Sequence, residues 1–198
     1  MKLILATANE HKVHEIEGLL AGSDWEVLSL REFSHVELPE ETGDTMQENA
    51  RLKAEHVACE VRLPALADDS GIEVDVLDGN PGVRSARWVE GSDEDRTRAL
   101  LQKLDGVKDE KRTARYRCAI CLAFPDGKLV ETEATCEGKI GYDFKGENGF
   151  GYDPIFIVTP ETGTASENFG KTMAEVAPEI KAQVSHRARA IWKLRELL

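Results

Sequence analysis

A chain of 198 residues with a hydrophobic fraction of 41% carries enough apolar mass for a real core and reads as one globular unit, residues 1–198. It carries 25 Lys and Arg against 37 Asp and Glu, and the net charge of -12 repels phosphate backbones at long range, which disfavours extended nucleic-acid binding. That balance still admits a small phosphorylated ligand in a locally basic pocket with a divalent cation.

The elements follow in chain order. Residues 3–6 form a short buried-strand candidate, and residues 9–20 place Val13, Ile16, Leu19 and Leu20 at helical spacing. Residues 25–30 read as the next strand. Thr45-Met46-Gln47-Glu48 is a capping box that opens a helix to about Val61, with Pro64 stopping it. Residues 66–76 read as a strand pair around Asp68-Asp69-Ser70-Gly71, with the two acids at a strand end. Ser92 caps a helix over residues 94–104. Residues 114–124 and 128–138 make a hairpin across Pro125-Asp126-Gly127. A glycine-rich loop over 138–151 precedes a strand at 155–158. Residues 173–198 are helical and broken at Pro178. The mixture points to an α/β fold with a mixed, partly antiparallel central sheet. There is no repeat and no window that approaches a membrane span. Residues 1–6 lack the length and cleavage pattern of a signal peptide, so the cytosol is the expected compartment.

Chemistry concentrates in a few places. In an extended segment neighbouring side chains point to opposite faces, so Asp68 and Asp69 cannot both serve one apolar core. A hard cation or an activated water would use such acids, and a solvated turn would also accommodate them. Thr7-Ala8-Asn9-Glu10-His11-Lys12 lies between the first strand and helix, where free N–H groups and the helix dipole favour an anion. The plainer alternative is that Asn9 simply caps the helix and Lys12 is solvated. Glu40 and Glu41 could join the aspartates around a cation, and Lys53 could reach a phosphate. Gly149-Phe150-Gly151-Tyr152-Asp153-Pro154 sets aromatics beside mobile backbone, an arrangement suited to base stacking worth roughly 1–3 kcal/mol per base. Lys181 and Ser185-His186-Arg187 bring donors to a helix start. The Cys118/Cys121 spacing suggests zinc or redox chemistry, but on a strand these residues face opposite sides. Residues 165–172 resemble a relaxed P-loop ending in Lys171-Thr172, with Ala165 in place of the first glycine and without the strand that should precede it directly.

Together these segments resemble the inosine triphosphate pyrophosphatase family, enzymes that remove aberrant purine triphosphates. The resemblance rests on Thr7 to Lys12; Glu41-Thr42-Gly43 with Glu48-Asn49-Ala50 and Lys53; Ala67 to Gly71; Pro81-Gly82 with Ser85-Ala86-Arg87; Phe150 to Pro154; and Ser185-His186-Arg187. It implies a long bent mixed sheet with flanking helices, two lobes around a cleft, a homodimer and Mg²⁺ dependence. The implied reaction takes ITP, dITP or XTP and water to the monophosphate and pyrophosphate. It implies Asp69 as general base and metal ligand, and Glu40 as the second metal carboxylate. Thr7, Ala8, Asn9, Glu10, His11, Lys12 and Lys53 would hold the triphosphate, with Ser70 beside it. Phe150 would stack on the base, while Gly151, Tyr152, Asp153, Lys181, His186 and Arg187 would line its pocket. Lys181 and Arg187, as donor-only groups, would pair with a 6-keto oxygen. The alternatives are a P-loop-type NTPase releasing orthophosphate through Lys171 and a nucleotide-binding module without turnover.

Overall fold

The computed structural model describes all residues, Met1–Leu198. The chain folds in the order β1 (Lys2–Leu5), α1 (Glu10–Leu20), β2 (Glu26–Ser29), α2 (Met46–Val61), β3 (Ala65–Val74), α3 (Asp93–Lys103), β4 (Thr113–Ala123), β5 (Leu129–Ile140), β6 (Phe156–Ile157), α4 (Pro178–Val184) and α5 (His186–Glu196). Short 3₁₀ turns fill the connections, the longest over Gly82–Arg87. The six strands form one mixed sheet in the order β2-β1-β3-β4-β5-β6. β1 runs parallel to β2 and β3, and β5 runs antiparallel to β6. No helix is long and apolar enough to cross a membrane.

Local chemistry starts the helices where the sequence places them. Thr45 accepts from the Glu48 backbone N–H while Glu48 reaches back to the Thr45 N–H, a closed capping box. Ser92 and Asp95 repeat the arrangement at α3. α2 ends at Arg62 in the left-handed conformation, one residue into the stretch before Pro64.

Two expectations change. β3 is one continuous ten-residue strand, not a pair, and Asp68 and Asp69 lie within it rather than at a strand end. Its residues 65–69 are all buried, so elements on both faces of the strand shield the acids from water. Pro178 does not break a helix but opens α4 at its first turn, where its missing N–H costs nothing. The interruption falls at Ser185, whose extended backbone separates α4 from α5.

The chain divides into two compact units. The first comprises Met1–Asp69, Cys118–Ala134 and Arg187–Leu198, and the second Ser70–Arg117 and Thr135–His186. Each has its own core. In the first, Leu3, Leu5, Val13, Ile16, Leu66, Ile120, Leu122, Ile191 and Leu194 pack together. In the second, Ile72, Val74, Leu100, Leu104, Tyr116, Ile140, Tyr152, Phe156 and Val184 do so. The apolar positions of α1 and α5 that recur at helical spacing are those that enter the first core.

Candidate active site

In the first unit, β3 carries the central acids between helices. Asp68 is fully buried and meets two cations: Lys12 of α1 at 3.1 Å and Arg187 of α5, whose Nη2 and Nε donate to Oδ2 at 2.8 and 3.2 Å. Arg187 is 1% exposed and also donates to Glu15 of α1. Burial pushes the Asp68 carboxyl up, but Lys12, Arg187 and Lys53 outweigh it and hold the group well below the usual carboxylate range. Asp68 first, and then Glu15, hold the Arg187 guanidinium above its ordinary value despite its burial.

Asp69 meets different partners, as strand alternation requires. Its Oδ2 accepts from Asn49 Nδ2 of α2 at 3.1 Å. Asn49 Oδ1 in turn accepts from the Gly43 N–H at 2.8 Å. A side chain at position 43 would put its Cβ 2.7 Å from that same oxygen, so only glycine lets the loop approach α2. Burial first, with Glu41 adding to it, pushes the Asp69 carboxyl above the ordinary aspartate value, against the opposing pull of Lys53. Lys53 is buried in α2 and its Nζ bridges Glu41 at 2.6 Å and the Asp68 carbonyl at 2.8 Å.

The loop before α1 is held by its own residues. Thr7 Oγ1 accepts from the Asn9 N–H, and Asn9 Oδ1 accepts from the His11 and Lys12 N–H groups. Asn9 is therefore the cap. Ala8, Asn9, Glu10 and His11 are exposed, and Glu10 pairs with Arg31.

The second unit carries an aromatic and cationic cluster. Asp153 is its hub: Oδ2 accepts from the Phe150 N–H at 2.9 Å and from Lys181 Nζ at 2.6 Å, and Oδ1 from the Tyr116 hydroxyl at 3.1 Å. Lys181 Nζ lies 4.9 Å from the Phe150 ring centroid. His186 stacks on Tyr116 with centroids 4.7 Å apart. Gly149 adopts a positive φ of 75°, and a Cβ there would sit 2.1 Å from Asp153 Oδ2. Outside the hub, Gly151 is clasped by Asp93 and Thr97 of α3. Tyr152 is buried, and its hydroxyl donates to the Ser85 carbonyl at 2.9 Å. Ser70, the next residue of β3 after Asp69, is half-buried.

Three assignments shift with this geometry. Glu41, not Glu40, adjoins Lys53 and Asp69, and Glu40 is exposed. Arg187 is drawn to Asp68 and Glu15 in the first unit, because a buried guanidinium needs carboxylates more than a neutral base edge. Tyr152 faces inward rather than presenting an open aromatic surface.

A family model described as the Ham1 family matches residues 3–197. The chain belongs to the Ham1 family. Among its relatives, a dITP/XTP pyrophosphatase from an Exiguobacterium species is 50% identical over 98% of this chain and 95% of its own. One of the same description from Symbiobacterium thermophilum is 47% identical over 100% of this chain and 94% of its own. Among solved structures, the Ham1 protein of Staphylococcus aureus is similar with a TM-score of 0.84 and 37% identity, covering 100% of this chain and 97% of that one. A HAM1 protein from Coxiella burnetii gives a TM-score of 0.86 and 36% identity over 100% of this chain and 98% of that one.

Within this Ham1 chain the P-loop look-alike is not a phosphate cradle. Residues Ser166–Asn168 form a 3₁₀ turn, Lys171 Nζ donates to Asn168, and no helix begins until Pro178. Cys118 and Cys121 are buried free thiols, and burial pushes both up to about 12, which disfavours the thiolate at neutral pH. Sequence reasoning missed Glu15 and Tyr116 as organising groups, and it named Asn49 only within the family resemblance, without its contact to Asp69. Only Asn49 left a local signal, its place beside the capping Glu48.

A divalent cation fits the first unit's donor set. Glu41 adds to the cost of ionising the buried Asp69, and Mg²⁺ takes one or two carboxylates with the remaining positions left to water and phosphate.

Proposed function

We propose that this protein hydrolyses non-standard purine nucleoside triphosphates, ITP, dITP and XTP, to the nucleoside monophosphate and pyrophosphate. The observation that carries the reading is a pair of adjacent buried aspartates with different partners, Asp68 against Lys12 and Arg187 and Asp69 against Asn49, in a chain whose relatives are described as dITP/XTP pyrophosphatases. Asp68 is locked as an anion by three cations, and Asp69, fixed by Asn49, is held above its ordinary value. Two like groups with different environments mark a division between an electrostatic role and an acid–base role.

Asp69 is the general base. An ordinary aspartate is a weak base for water, and burial beside Glu41 strengthens this one. Water adds to a phosphorus of the α–β anhydride, its proton passes to Asp69, and the anhydride bond breaks to release pyrophosphate. Asp69 and Glu41 would hold Mg²⁺, which when bound neutralises charge on the triphosphate. Lys12, 14% exposed, is the most open cation of the acid cluster and reaches the phosphates, with Thr7 and the exposed 8–11 segment beside it. Lys53 and Arg187 stay with the acids and fix the cluster's charge before substrate arrives, so no reorganisation is needed during the reaction.

The second unit reads the base. Phe150 stacks on the purine, His186 and Ser70 contribute polar contacts, and Lys181 donates to the 6-keto oxygen. Adenine presents an amino donor there, so a donor-only lysine would face another donor in a dry pocket. A homodimer in the cytoplasm is the expected setting. A nucleotide sensor would have no use for a strengthened base, which disfavours the non-catalytic reading.

The test is steady-state hydrolysis with Mg²⁺ and ITP, XTP, GTP and ATP side by side. The reading expects kcat/KM for ITP and XTP to exceed that for ATP by at least about a hundredfold, the range of donor–acceptor mismatch discrimination. Equal use of ATP would refute the base-reading assignment.

A further inference from the structure

Tyr116 belongs to none of the motifs that carry the family resemblance, yet it touches two residues of the base-reading cluster. It sits in β4, 7% exposed, within the core of the second unit. Its hydroxyl donates to Asp153 Oδ1 at 3.1 Å, while the other carboxylate oxygen receives Lys181 and the Phe150 N–H. Its ring lies stacked on His186, 4.7 Å between centroids and 16° between planes, and packs against Phe156 at 4.5 Å.

We propose that Tyr116 is a positioning residue for base recognition, fixing through Asp153 the place from which Lys181 addresses the purine 6-keto oxygen. The inference rests on the pyrophosphatase reading and deepens it. A carboxylate gripped on one oxygen alone can pivot about its Cβ–Cγ bond. Lys181, on a flexible four-carbon stem, follows wherever that oxygen goes. The Tyr116 hydroxyl holds the second oxygen and removes that freedom. Because burial, with Asp153 next, raises the phenol well above its ordinary value, Tyr116 remains a donor throughout the working pH range. The stack on His186 gives the same side chain a second hold on the base-reading residues.

Tyr116→Phe keeps the ring, the stack and the packing, and removes only the hydroxyl. With ITP and Mg²⁺, the variant is expected to show KM raised about tenfold, the order expected for a lost hydrogen bond to a charged group. The loss should fall on KM more than on kcat, and the preference for ITP over ATP should fall by a similar factor. Tyr116→Leu, which also loses the stack, should be worse in KM again. Equal losses in kcat for both nucleotides with unchanged KM and a lowered Tm would make Tyr116 a packing residue only, and would overturn the proposal. ITP binding by calorimetry separates the two layers. If the parent protein hydrolyses no triphosphate, the pyrophosphatase reading fails. Weaker ITP binding by Tyr116→Phe would still uphold the positioning role, and unchanged binding would refute it.

Discussion

Arg187→Ala tests the acid cluster most sharply. The guanidinium is 1% exposed and donates twice to Asp68, itself fully buried, and once to Glu15. Removing one member of a buried pair leaves an uncompensated charge and costs about 3–5 kcal/mol. Lys12 remains 3.1 Å from Asp68, and Lys53 still acts on it, so the expected loss lies at the lower end, about 3 kcal/mol. For a chain of this size that corresponds to a fall in Tm of about 6–12 °C. The pH dependence has a definite sign. Asp68 titrates far below its unfolded value, so its stabilisation is present above about pH 4 and is lost as the pH falls through the folded-state value. The gap between parent and variant should therefore be widest near neutrality and narrow in acid. Urea unfolding followed by circular dichroism at pH 7 and at about pH 2 measures both quantities. A loss below about 1 kcal/mol at pH 7 would refute the account, since that is the value of an exposed ion pair. So would a variant of unchanged stability that loses ITP turnover while sparing ATP, because it would return Arg187 to the base.

Three further outcomes are expected. Asp69→Asn should lower kcat by about 10²–10⁴-fold, the usual contribution of a general base. It should also leave the protein at least as stable at neutral pH, because a carboxyl raised by burial is destabilising once the pH exceeds its folded-state value; a marked fall in Tm would contradict this. Glu41→Gln should raise the Mg²⁺ concentration needed for half-maximal rate by about tenfold and Glu40→Gln should leave it unchanged, as the scale of a ligand-shell loss suggests; the reverse order would restore Glu40 as the second carboxylate. Gly149→Ala forces a Cβ against Asp153 Oδ2 and should raise KM for ITP with little effect on the unfolding of the first unit. An unchanged KM would show that the Asp153 hub is not tied to base binding.

What could be read in the sequence was what is decided within a few residues. The capping boxes at Thr45 and Ser92, the Asn9 cap and the hairpin turn at Pro125-Asp126-Gly127 involve partners at most a few positions apart, and the structure has them. Two acids in succession look like a strand end or a turn when their partners are unseen, whereas β3 runs through them. Those partners are Lys12 and Arg187, the latter 119 positions away. Pro178 looked like an interruption because proline breaks a helix interior yet suits a first turn, and only the fold says which applies. The choice between Glu40 and Glu41 turns on one residue of loop register, fixed by the Gly43–Asn49 contact. Arg187 has the right chemistry for a keto oxygen, but the buried Asp68 and the half-buried Glu15 are stronger claimants on a guanidinium.

The most direct measurement is product identity. ³¹P NMR of XTP incubated with the purified protein and Mg²⁺ should show pyrophosphate and the monophosphate appearing together in equal amounts, with no diphosphate intermediate. Orthophosphate with the nucleoside diphosphate would contradict the account, because it would place the cleaved bond at the γ-phosphate and leave the paired aspartates without the role assigned to them.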